Sequence, residues 1–257
     1  MAHACSVSNP YTHDAALCSL RVLLARAEPF MTEAELEAIR LSLSVALRSV
    51  LVSLPFAVAV AWLLWRPRLR ARLLLDAVVH LPLVLPPVVV GYLLLLLFGI
   101  RGPIGSWLYE SFGVQLIFTT GGAALATAVM SFPLVVRSIR LSLENVDRGL
   151  EDAAQTLGAG PWDRFFTITL PLMLPGVLAG SVIAFAAGLG EFGAVITFAS
   201  NIPGETRTLP LALYTALQTP GGDALAARLA GISIALGLLG LLIAELVTRR
   251  LARMLGR

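Results

Sequence analysis

The chain has 257 residues, of which 57% are hydrophobic and only 14% charged, with a formal net charge of +3 and a mean hydropathy of +0.84. Soluble domains run at about 45–50% apolar and about 25% charged, so this composition excludes an ordinary soluble core and indicates an all-α, polytopic membrane protein. All 19 basic residues are arginine, which excludes a Walker A loop, whose lysine must reach the β/γ-phosphates, and lysine Schiff-base chemistry.

Residues 1–30 differ from the rest. They hold both cysteines, Cys5 and Cys18, and two of the three histidines, His3 and His13. The cysteines lack metal-ligand spacing, and no disulfide is read from them. The apolar run over 17–25 is interrupted by Arg21 and is too short for a signal peptide or a span. The expectation is a misassigned or disordered extension over 1–30, with Met31 as the natural start and 31–257 as one membrane domain.

A spanning helix needs about 20 mostly apolar residues. Five stretches qualify: 43–65, 78–100, 121–141, 175–199 and 229–248. The second contains Pro82, Pro86 and Pro87. Proline removes a backbone donor and clashes with the preceding turn, and carbonyls freed in lipid need protein or water as partners. That span is therefore read either as facing a cavity or as carrying a packing kink. Gly180, Gly188, Gly190 and Gly193 in the fourth span suit close helix approach. The uncharged stretch 208–219 is too short to cross and reads as a surface or re-entrant helix.

Arginines set the orientation. Arg66, Arg68, Arg70 and Arg72 follow the first span; Arg137, Arg140, Arg148 and Arg164 follow the third; Arg249, Arg250, Arg253 and Arg257 follow the fifth. The opposite loops carry only Arg101, Arg207 and Arg228. The positive-inside rule places the first set in the cytoplasm, which puts the N-terminus outside and the C-terminus inside. No basic run is interleaved with aromatics, so nucleic acid is not an expected partner.

The segment from about 145 to 171 carries the most information. Asp147 suits an N-cap, and Leu150, Ala153, Ala154 and Leu157 form one apolar stripe at helical spacing. Glu151 and Asp152 sit early in the helix, where the helix dipole favours anions. Gly158 is the expected stop. Pro161 opens a second short helix, which Pro171 is expected to end. Such a small-residue helix fits a groove on a partner protein, or it lies on the headgroups.

The string Asp152-Ala153-Ala154, three residues, Gly158, nine residues, then Ile168-Thr169-Leu170-Pro171 resembles the cytoplasmic loop motif of ABC-importer permeases, with aspartate where the motif has glutamate. Further strings, among them LPLVLPPVVVGY, LGEFGAVITFASNIPGETRTLP and QTPGG, resemble the permease subunit of molybdate ABC importers, from about Met31 to near the C-terminus. Permeases for sulfate and thiosulfate are relatives, and tungstate is a close mimic of molybdate. The resemblance implies a type I ABC-importer permease fold and a homodimer. It also implies two cytoplasmic ATPase subunits that hold the ATP and Mg, and an external molybdate-binding protein. This chain then binds no cofactor and catalyses nothing itself. Glu151, Asp152, Ala153, Ala154, Leu157 and Gly158 become the residues that couple to the ATPase.

Two further residues are candidates for the translocation path or gate. Glu191 is an acid within an apolar span, a functional signal by default, and is read as paired to an arginine (Arg48 or Arg137) or to backbone amides, since a bare carboxylate repels an oxyanion. Arg207, in the outer loop SNIPGETRT, carries charge of the sign that guides an oxyanion. His80 is the only histidine beyond residues 1–30, and one histidine makes neither a triad nor a metal site. Asp76, one turn before it, is within local hydrogen-bond reach. A secondary transporter would show internal repeats with matching broken helices, and no such repeat is seen; a membrane scaffold without transport is the other reading.

Overall fold

The computed structural model describes residues 31–65, 71–144 and 148–254. The proposed extension over 1–30, the N-cap Asp147 and Arg66, Arg68, Arg70 and Arg257 lie outside the described residues. Within them the chain is helical and contains no strand. The helices are α1 (Glu33–Trp65), α2 (Arg72–Val84), α3 (Pro87–Phe98), α4 (Pro103–Phe112), α5 (Thr120–Glu144), α6 (Arg148–Thr156), α7 (Pro161–Arg164), α8 (Leu170–Leu189), α9 (Gly193–Ala199), α10 (Leu209–Gln218) and α11 (Asp223–Met254).

Among the described residues four helical runs are long and apolar enough to cross a bilayer, and α2 with α3 makes a fifth if that bent pair is one span. The core is a bundle in which α5 packs along both α1 and α8. Lipid is as apolar as leucine, so close packing and small residues hold such helices together. Ala46, Ala57, Ala61, Ala123 and Ala126 are fully buried there. At Gly188 an added Cβ would stand 2.9 Å from Thr127 Cγ2, and at Gly180 3.1 Å from Ser138 Cβ. Phe56 of α1 and Ile234 and Leu242 of α11 are exposed, as expected of surfaces that meet lipid.

Four expectations on span boundaries need correction. α1 begins ten residues before the window of the first span, nearly three turns earlier, at Glu33, because Thr32 and Glu35 close a capping box. The Thr32 N–H and hydroxyl donate to Glu35 Oε2 at 2.7 and 3.0 Å, and the Glu35 N–H donates to Thr32 Oγ1 at 3.3 Å. That pattern, Thr-x-x-Glu, is legible in the sequence. The second span is not one helix: α2 and α3 meet at 116°. Pro86 and Pro87 supply no N–H, and proline forces the preceding residue into extended backbone; Leu85 lies at φ −76°, ψ 143°.

The fourth span is displaced toward the loop. Pro171 does not end a short helix. A π turn, Phe165–Thr169, joins α7 to α8, and the Leu170 N–H reaches back to the Phe165 carbonyl. The wider turn makes room for a proline ring that would strike the carbonyl four residues back. The apolar run is therefore Pro161–Leu189, and it stops before Glu191 rather than running through it. The fifth span starts earlier than expected, at Asp223, and continues to Met254. The short stretch near 208–219 is the short helix anticipated, α10.

Candidate functional site

The helix–turn–helix forms as its residues require. α6 ends in a paired closure: the Gly158 N–H donates to the Gln155 carbonyl and the Ala159 N–H to the Ala154 carbonyl, both at 3.0 Å. This satisfies the last free carbonyls of the helix and needs a left-handed residue at the turn; Gly158 has φ +89°. Gly160 and Pro161 then open α7 with proline at its start. Arg164 Nη1 donates to Gln155 Oε1 at 2.9 Å and ties the two helices together.

The apolar stripe of α6 is not covered by the other described residues. Leu150 and Leu157 are exposed, Leu157 at 88%; Asp152, Ala153 and Gly158 are exposed and Ala154 is half-buried. Glu151 lies in the same helix. Behind the loop stands an aromatic cluster: Trp62 of α1 stacks with Trp162 at 6.3 Å and meets Phe165 edge-on at 5.1 Å. Tryptophan gathers where hydrocarbon gives way to water. The cluster joins the end of α1 to α7 and the π turn, and its composition suits such a boundary.

Glu191 sits at a break. α8 stops at Leu189, α9 starts at Gly193, and Glu191 Oε1 accepts the Ala194 N–H at 2.8 Å. Of the two kinds of partner expected for it, the structure supplies the backbone amide. It brings neither Arg48 nor Arg137 to Glu191. The carboxylate borders a cavity of about 180 Å³ with Thr127 and Ser131. The hydroxyls of both donate to carbonyls in their own helix, at 2.9 Å each. The two broken spans touch at this level: a Cβ on Gly193 would stand 2.7 Å from Pro87 Cβ, and one on Gly91 2.8 Å from the Ala194 carbonyl oxygen.

Arg207 is held within its loop. Its Nε donates to Asn201 Oδ1 at 2.9 Å, and Asn201 Nδ2 donates to Thr215 Oγ1 of α10 at 2.8 Å. Thr206 closes the same loop by accepting the Ile202 N–H and donating to the Ser200 carbonyl. Glu191 and Arg207 are therefore separate features rather than one constellation.

A charged network went unread in the sequence. Arg140 of α5 donates to Asp76 of α2 at 2.5 Å and lies 3.7 Å from Glu144. The His80 Nδ1–H donates to the Asp76 carbonyl at 2.9 Å, which is the local bond that the one-turn spacing allows. Arg137 lines the same cavity, of about 280 Å³. A second long-range pair joins Arg228 of α11 to Glu35: Nη2 stands 3.1 Å from Oε1, near enough for an ion pair but not aligned for a hydrogen bond. The one sequence signal at Glu35 is the Thr-x-x-Glu pattern of the capping box.

Residues 53–253 match the family described as binding-protein-dependent transport system inner membrane component. The chain belongs to that family. It is 62% identical over 219 residues to the molybdenum transport system permease protein ModB of Escherichia coli K12, covering 85% of this chain and 96% of that one. It is 58% identical over 223 residues to the protein of the same name from Haemophilus influenzae, covering 87% and 97%. Its fold matches a bacterial alginate ABC transporter solved in complex with an alginate pentasaccharide-bound periplasmic protein, with a TM-score of 0.69 at 16% identity, covering 94% and 90%. The family's permeases are inner-membrane transport components, and the helical, multi-span architecture above is theirs, the type I ABC-importer permease fold.

Proposed function

We propose that this chain is the transmembrane permease subunit of an ATP-driven molybdate importer. It forms the oxyanion path as a homodimer, is driven by two cytoplasmic ATPase subunits, and receives its cargo from an external molybdate-binding protein. The observation that carries this reading is the 62% identity across 96% of the E. coli molybdenum permease. ATP and Mg are held by the ATPase, and this chain supplies motion rather than chemistry.

The coupling residues are Glu151, Asp152, Ala153, Ala154, Leu157 and Gly158. An exposed small-residue stripe on a short helix suits a groove on a partner. Displacing α6 moves α7, and the helical run from Pro161 to Leu189 carries that motion to the break at Glu191. A docked element turning a rigid helix is a known route for switching transitions. Glu191 fixes the start of α9 at that break, and Arg207 belongs to the outer loop that faces the binding protein. The N-terminus lies outside and the C-terminus in the cytoplasm.

The test is uptake of labelled molybdate into vesicles holding the permease, its ATPase and its binding protein, with tungstate and sulfate as competitors. Molybdate and tungstate are expected to compete far better than sulfate, and uptake is expected to require ATP. Sulfate competing equally would reassign the cargo. Uptake that survives removal of the ATPase but collapses with the proton gradient would replace the whole reading with a secondary transporter.

A further inference from the structure

α1 carries two arginines, Arg40 near its start and Arg48 within its apolar window. Arg40 and Arg48 are exposed, and among the described residues neither has a hydrogen-bond or ion-pair partner. Both face one cavity of about 600 Å³, lined by Glu37, Arg40, Ser44 and Arg48 of α1 and by Thr120 and Gly204 opposite. These α1 positions recur at three- and four-residue intervals, so they share a face. At 1.5 Å rise per residue, Arg48 lies about 12 Å further along the helix than Arg40 and about 16 Å beyond Glu37. The carboxylates of this face, Glu33 and Glu37, are confined to the helix start; beyond them the lining carries the two guanidinium groups with Leu41 and Ser44 between them.

An arginine within a span is costly. Such residues face a bundle interior or a water-filled cavity and mark ion pathways. Among the described residues no acid pairs with Arg48, which leaves its charge available to a ligand from outside the chain. Guanidinium presents several donors in a planar fork, is weakly hydrated, and matches tetrahedral oxyanions. Two separated contacts in an open cavity also hold an ion loosely enough for it to leave, a requirement of any conduction path.

We propose that Arg40, Ser44 and Arg48 form a transit site for a tetrahedral oxyanion dianion within the permease, with Arg48 as its deep contact. The proposal rests on the importer reading above. A phospholipid headgroup offers the same tetrahedral oxygens, and the test separates the two sources.

The purified permease–ATPase complex is treated with phenylglyoxal, an arginine reagent, and each arginine is followed by mass spectrometry. Molybdate is compared with chloride at equal ionic strength, in detergent, in phosphatidylcholine nanodiscs and in nanodiscs containing phosphatidylglycerol. Molybdate is expected to slow modification of Arg48 severalfold in detergent and in phosphatidylcholine, while Arg101 is unaffected. Protection of Arg48 by phosphatidylglycerol alone, or no protection, would overturn the proposal. In reconstituted vesicles Arg48→Gln is expected to lower molybdate uptake about tenfold, the loss of one charge-assisted contact, with Arg48→Lys recovering most of it. Wild-type uptake by Arg48→Gln would remove the site but leave the importer reading standing. Failure of the unaltered protein to import molybdate would remove that reading instead.

Discussion

Gly158 offers a test of the coupling loop in which backbone strain and bulk separate cleanly. Its φ is +89°, and a Cβ added there meets nothing within 4 Å. Gly158→Ala therefore introduces no clash; it costs only the left-handed conformation, about 1–2 kcal/mol. That is about a 5- to 30-fold loss in the population of the closed turn, and it falls on an exposed loop rather than on the spans. Gly158→Asn tolerates the same φ and is expected to stay near wild type. Gly158→Trp adds a large side chain to the outward surface while leaving the spans folded. It is expected to insert normally, to lose co-purification with the ATPase, and to abolish ATP-dependent uptake. The assay is molybdate uptake beside affinity capture of the ATPase, with thermal unfolding in detergent as the folding control. Wild-type uptake and capture by Gly158→Trp would refute the docking argument.

Gly193→Ala is expected to destabilise the protein by about 1–3 kcal/mol, the usual cost of overpacking, because its Cβ would lie 2.7 Å from Pro87 Cβ; a lowered melting temperature in detergent checks it. Glu191→Ala is expected to cost about 1 kcal/mol through the lost acceptor for the Ala194 N–H, whereas Glu191→Gln keeps an acceptor and should fold and transport nearly normally. Transport lost in a well-folded Glu191→Gln would show that the charge itself matters. A double-mutant cycle on Asp76 and Arg140 is expected to give a coupling of no more than about 1 kcal/mol, since the Asp76 side chain is 38% exposed and solvent screens the pair. Finally, a cysteine at Ala153, with Cys5 and Cys18 replaced, should react with an impermeant maleimide in inside-out vesicles and not in right-side-out ones; the reverse pattern would invert the orientation.

The multi-span, all-helical plan and the turn at Gly158 were legible in the sequence because they depend on local quantities. Apolar run length decides whether a helix crosses lipid, and Gly158, followed closely by Gly160 and Pro161, carries the local chemistry of a helix stop. The prolines at 86 and 87 announced a disturbance but not its size: an isolated proline pair is compatible with a gentle kink, and the 116° turn is set by what α3 packs against, Gly91 and Gly193 admitting α9. Pro171 misled because proline ends a regular α-helix, while a π turn lets the helix pass it. The Asp76–Arg140 pair, 64 residues apart, leaves no local trace, and neither does the shared cavity that gathers Arg40 and Arg48 opposite Thr120 and Gly204. Composition and periodicity alone determined the solvent this chain folds in and the helices it makes there. Which helices break, and which charges face one another, was decided only by the tertiary packing, because close approach between distant segments is a property of pairs that no single stretch contains.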